Sequence, residues 1–165
     1  MRKIRVIIIL LVVLGCKEKQ AQEVDSQGEL QGFNYQKLPK KLQVSSDAAL
    51  LLDEWTEFKA LNSSVDVLYK STNDEDLSLA IDDLLEKEKE LSNSTYPEAF
   101  DSFQVKSRQR VFRTLLLKVK ASILNKLDTT GPTIELLEAY NIIRQQFNSI
   151  LSSQLDTKLI LDEEE

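Results

Sequence analysis

The reactive side chains of this sequence are defined by what is missing as much as by what is present. There is one cysteine, Cys16, and no histidine. Sulfur is the best nucleophile among the side chains, but no imidazole is present to activate it or any hydroxyl. The commonest general base and metal ligand are absent, so Ser-His-Asp and Cys-His sites are excluded. Zinc sites built on Cys and His are excluded too, and one cysteine closes no internal disulfide. Carboxylates and cations remain. Asp74-Glu75-Asp76, with Asp82 and Asp83, lacks the loop spacing and glycine of a calcium-binding EF-hand. It reads as a helix start favoured by the helix dipole. Paired carboxylates serve glycosidases, but here they fall on ordinary helix surfaces. Lys106, Arg110 and Arg113 are spaced by four and three, on neighbouring turns of one helix face, and form a candidate anion-binding set. No cofactor and no metal site is expected.

Cys16 has a context of its own. Arg2, Lys3 and Arg5 precede an apolar run from Val6 to Leu14, which ends at Gly15-Cys16. A membrane-spanning helix needs about 20 apolar residues, and this run is much shorter. A charged start, a short apolar core and a small residue before the cut describe a secretory signal. Val13, Leu14, Gly15 and Cys16 together resemble the lipobox of bacterial lipoproteins, with Leu14 bulkier than the small residue usual at its position. The resemblance covers the first sixteen residues. It implies a diacylglyceryl group on the Cys16 thiol, cleavage between Gly15 and Cys16, and acylation of the new amino group. Several acyl chains, at about 0.8 kcal/mol per buried methylene, hold a protein on a bilayer where one does not. Lys17-Glu18-Lys19 follows. In gram-negative lipoproteins this region directs sorting, and the lack of Asp at position 17 implies the outer membrane, facing the periplasm. The string also resembles the Lys/acidic surface-export signals of some lineages, which leaves surface exposure open.

These residues need elements to carry them. Residues 1–15 read as the signal peptide, and residues 16–45 as the lipidated N-terminus and a flexible linker. The linker is rich in Gln, Lys and Glu and punctuated by Gly28, Gly32 and Pro39. Phe33, Tyr35 and Leu38 are its apolar exceptions, suited to docking as an extended segment. Residues 46–161 read as a helical domain, and 162–165 as an acidic tail. Four Gly and three Pro in 165 residues favour long helices over sheets.

Four amphipathic helices are predicted. The first covers residues 46–71 with Leu51, Trp55, Phe58, Leu61, Val65 and Leu68 on one face, and Ser45, Ser46 or Asp47 as its cap. The second covers 73–92, with Thr72 and Glu75 at capping-box spacing. The third begins near Pro97 and ends at 128–132. The fourth covers 133–156 or slightly more. The fold class is therefore all-α, an antiparallel bundle of four helices after a flexible tether. A three-helix core with one peripheral helix is the alternative.

Charge is distributed unevenly. From Asp47 to Glu90 there are thirteen acidic and four basic residues, and from Pro97 to Leu127 seven basic and two acidic. Complementarity between the basic third helix and its acidic neighbours accounts for this by helping to select topology. The anion set is the functional alternative. Without Arg2, Lys3 and Arg5 the chain carries 27 acidic against 18 basic residues, so no nucleic-acid partner is expected. Asp128-Thr129-Thr130 resembles the three-residue acceptor of a periplasmic O-glycosylation system. The repeated Leu-Thr-x-x-Gln motif of small helical periplasmic chaperones is absent.

The expectation is a cell-envelope lipoprotein, held to the membrane through its lipid anchor, whose non-enzymatic helical domain binds an envelope protein partner. A module binding a small ligand or an envelope-stress signal between the helices is the alternative.

Overall fold

Ser45 opens the first helix by accepting a hydrogen bond from the Ala48 N–H at 3.3 Å, which satisfies one of the free donors at a helix start. The computed structural model describes residues 32–162, with side chains through Ser153. The expected signal peptide and lipid-attachment site, residues 1–16, the Lys17-Glu18-Lys19 string and residues 163–165 of the acidic tail lie outside the described residues. Five helices are present among the described residues: α1 (Ser46–Glu54), α2 (Thr56–Leu68), α3 (Asp74–Asn93), α4 (Phe103–Leu124) and α5 (Thr130–Asp162), with no strands.

The predicted first helix is two helices. Trp55 is in extended backbone geometry, φ −87° and ψ 93°. Its indole is buried, donates from Nε1 to Ser94 Oγ at 2.9 Å, and lies 4.7 Å from the Tyr96 ring. The chain turns at this anchored side chain. Ala48 and Leu52 of α1 are thereby buried, while α2 buries Phe58, Leu61, Val65 and Leu68. Asn73, not Thr72, caps α3, accepting from the Asp76 N–H at 2.9 Å.

Two further boundaries differ from the sequence pattern. Pro97 precedes a short 3-10 turn at Glu98–Phe100 rather than starting the helix. Phe100 is fully buried there, and Ser102 caps α4. The Asp128-to-Pro132 stretch opens α5 rather than ending α4, which stops at Leu124. The Asp128 carboxylate accepts from the N–H groups of Thr130 and Gly131, both at 3.1 Å, and proline is tolerated in a first turn because its missing donor has no partner there. α4 itself closes on Lys126, in left-handed geometry at φ 53°. The Leu127 N–H returns to the Ser122 carbonyl and the Lys126 N–H to that of Ile123, a Schellman closure that normally uses glycine.

Each of α3, α4 and α5 packs antiparallel on the helix before it, and α1 packs on α2 and α5. The bundle is α2 to α5, with α1 as a short addition. Its proximal end carries the turns at 69–73 and 125–129, and its distal end carries Trp55 and residues 94–102. α2 and α5 meet through side chains: the Phe58 and Phe147 rings are edge-to-face at 5.2 Å, and Tyr140 Oη donates to Asn62 Oδ1 at 2.7 Å.

A strap formed by residues 33–45 lies along the outer side of this α2–α5 seam. At the proximal end the Phe33 N–H donates to Asp74 Oδ1 at 3.3 Å and the Asn34 N–H to Thr130 Oγ1 at 3.0 Å. Farther along, Leu42 meets Asn141 and Ser45 meets Asn148, so the strap runs parallel to α5. Phe33 is buried and Leu38 packs on the core, whereas Tyr35 is exposed. Among the described residues, docking on the bundle thus includes Phe33 to Ser45, which the composition assigns to the linker.

α5 has 33 residues against 20 in α3 and 22 in α4. At about 1.5 Å per residue, it outruns its neighbours at the distal end.

Candidate functional site

The anion set lies at the distal end, where α3 finishes and α4 begins. Its floor is made by two polar residues set into apolar stripes. On α3 the stripe runs Leu77, Ile81, Leu84, Glu88, Leu91, and on α4 Val105, Gln109, Phe112, Leu116. Glu88 is 1 % exposed and Gln109 is buried. A buried carboxylate is tolerated only when paired and hydrogen-bonded, and both conditions are met. Arg113 Nη1 bonds Glu88 Oε2 as an ion pair, and Gln109 Nε2 donates to Glu88 Oε1 at 3.2 Å. Tyr96 Oη donates in turn to Gln109 Oε1. Burial raises the Tyr96 hydroxyl above its ordinary value, with the Gln109 bond partly opposing the shift.

Above this floor is an open cleft of about 440 Å³, lined on its rim by Ser92, Ser94, Thr95, Lys106 and Arg110. Lys106 pairs with Asp101, and its Nζ stands 5.0 Å from the centre of the Tyr96 ring. Arg110 is exposed and lies 5.8 Å from the Phe103 ring. The structure therefore brings all three predicted cations to one cleft, but it gives them different work. Arg113 neutralises Glu88, Lys106 is held by Asp101, and Arg110 has no carboxylate partner among the described residues.

No protein-family model, curated protein or solved structure gives a significant match to this chain.

Of the remaining cations of α4, Lys120 follows the complementarity reading, Lys118 turns to α5, and Arg108 donates to the Gln104 carbonyl of its own helix. Lys120 pairs with Asp82 of α3 and Lys118 with Glu135 of α5, each at 2.6 Å. The acidic cluster is likewise committed. Asp74 holds Phe33 and accepts from Thr129 Oγ1 at 3.1 Å, Asp76 accepts from Asn73, and Asp83 accepts from Ser64. No group of three or more His, Cys, Asp or Glu among the described residues is arranged to hold a metal ion. Thr129 and Thr130, the candidate glycosylation acceptors, are buried with both hydroxyls engaged in the structure. No described helix is long and apolar enough to cross a membrane.

Sequence reasoning missed Glu88, Gln109 and Arg144. Each occupies a stripe position at helical spacing from apolar neighbours, and a polar residue on an apolar face is the signal that marks a buried network. Tyr96 packs against the core and also lines the cleft, with the buried Trp55 ring against its other side.

Proposed function

We propose that this protein is a lipid-anchored envelope lipoprotein whose helical domain is a non-enzymatic interaction module, presenting its distal end to a protein partner. The observation that supports it is the direction of the strap. The chain reaches the bundle at the proximal end, beside Asp74 and Thr130. A chain acylated at Cys16 has sixteen residues to reach Gly32, at most roughly 55 Å of extended backbone. The tether then enters at the proximal end, and the cleft of Tyr96, Lys106 and Arg110 lies at the opposite end of the bundle, free of the attachment point. Its chemistry suits a protein surface: an exposed aromatic, Phe103, beside an arginine with no carboxylate to hold it. The small-ligand reading draws on the same unpaired Arg110, in a site open to solvent.

Two measurements test this reading. Cys16→Ala should abolish uptake of labelled palmitate and release the protein from carbonate-washed membranes. A photo-crosslinking residue at Phe103 should capture a discrete partner in intact cells, whereas one at Leu79, equally exposed but in the proximal half of α3, should not. Equal capture at both positions, or at neither, would remove the distal end from the proposal.

A further inference from the structure

The groove between α2 and α5 recognises polypeptide main chain. Asn141 Oδ1 accepts from the Leu42 N–H at 2.8 Å, and its Nδ2 donates to the Lys40 carbonyl at 2.9 Å. One heptad later Asn148 repeats the pattern, accepting from the Ser45 N–H at 2.8 Å and donating to the Gln43 carbonyl at 3.1 Å. Between them Arg144 Nε donates to the Leu42 carbonyl. The spacings of three and four put these side chains on one line of α5. The periods match as well. Three extended residues cover roughly 10 Å at about 3.3 Å each, and seven helical residues cover nearly the same length at about 1.5 Å each. Two asparagines seven apart on a helix therefore meet equivalent backbone units of an extended strand. All five bonds go to main-chain atoms, which every residue except proline supplies in full, so the groove is largely indifferent to side-chain identity.

One side chain of the occupant is recognised. Lys41 Nζ bonds Asp66 Oδ1 of α2 at 2.6 Å and stands 6.0 Å from the Tyr140 ring. Arg144, which donates to the Leu42 carbonyl, is itself buried and held by Asn62 Oδ1 at 3.0 Å. The present occupant fills the groove only in part, with Val44 half-buried against the core. No side chain from Lys40 to Ser45 is buried, and Leu42 is 38 % exposed. About 310 Å³ of open space remains beside Lys41 and Gln43, bounded by Leu52, Phe58, Asn62 and Arg144.

We propose that the α2–α5 groove is a receptor for an extended segment of a partner protein carrying a basic residue at the position of Lys41, and that residues 40–45 occupy it in cis until such a segment displaces them. The proposal stands apart from the lipid anchor and from the distal cleft.

The test uses the mature chain and, as probe, a fluorescent synthetic peptide with the sequence of residues 33–46. Leu42→Pro in the chain deletes the N–H that Asn141 accepts and so weakens the cis occupant alone. Binding of the peptide, read by anisotropy, should tighten by about tenfold relative to the unaltered chain, the scale of one lost hydrogen bond. Adding Asn148→Ala should weaken it again, and a peptide with Glu in place of Lys41 should not compete. Lys41→Glu in the chain opens the same groove through the side chain, without touching the backbone, and covers the case in which Leu42→Pro fails to fold. Peptide binding no tighter in either folded variant than in the unaltered chain would overturn the proposal. So would binding insensitive to Asn148→Ala. If the opened variants dimerise and take up no peptide, the groove serves exchange between copies of this chain and the assignment to a partner segment falls.

Discussion

Replacing Arg113 with Met separates the paired cations of α4 from the unpaired one. Arg113 holds the carboxylate of Glu88, whose side chain is 2 % exposed. Removing one member of a buried pair costs about 3–5 kcal/mol, because the other charge is left without compensation. Two features reduce that figure. The Arg113 side chain is itself 43 % exposed, so solvent already screens it, and Gln109 still donates to Glu88. A loss of about 2–3 kcal/mol is expected, between the buried and surface regimes. Arg110→Met, one turn away and exposed, should change stability by no more than about 0.5 kcal/mol. The double variant Glu88→Gln, Arg113→Met removes the stranded charge and keeps an amide for Gln109, so it should recover more than half of the loss. Urea unfolding at low and high salt measures all three. The Arg113 effect should persist in salt, since Glu88 is shielded from counterions. Equal losses at Arg110 and Arg113, a loss that vanishes in salt, or a double variant no better than the single would refute a buried pair at this position.

Lys126→Gly should stabilise the protein by about 1 kcal/mol, because a residue with a Cβ is strained at φ 53° and glycine is not; urea unfolding measures it. Tyr69→Phe should be neutral or stabilising by up to about 1 kcal/mol, since the Tyr69 hydroxyl is buried with no hydrogen-bond partner among the described residues; thermal unfolding decides, and a clear loss would show that the hydroxyl is satisfied. Alkaline pH should unfold the chain. Burial raises the hydroxyls of Tyr69, Tyr96 and Tyr140 above the ordinary value of 10.0, so the folded state holds protons that the unfolded state has released. This contribution is full below pH 10.0 and is lost as pH rises through the folded values. In a Tyr35→Phe background, which removes the exposed ring, tyrosinate absorbance should rise together with loss of helical circular dichroism rather than before it.

The helices were legible because their apolar stripes persist over several turns, as from Leu77 to Leu91 and from Val105 to Val119, each interrupted by a single buried polar residue, Glu88 or Gln109. Periodicity does not see backbone breaks made by tertiary contacts. Trp55 continues the stripe from Leu51 to Phe58, so nothing local shows that its indole is tied to Ser94. Asp128 to Pro132 reads as a stop from composition, but the same carboxylate and proline also suit a first turn, and only its bonds to Thr130 and Gly131 settle its role as a cap. The strap was half legible. Phe33 and Leu38 stood out from a polar stretch, whereas its principal fastening comes from Asn141, Arg144 and Asn148, about a hundred residues away on another helix. The cation triplet was found by spacing, but the division of labour among Lys106, Arg110 and Arg113 depends on Asp101 and Glu88, which the spacing of α4 alone does not contain.

Everything proposed about orientation follows from the anchor at Cys16, and intact mass of the protein extracted from membranes tests it most directly. A chain that begins at Cys16 and carries a diacylglyceryl group and an amide-linked acyl chain is the predicted result. A mass corresponding to an unmodified chain, whether cleaved elsewhere or still bearing Met1 to Gly15, would contradict it.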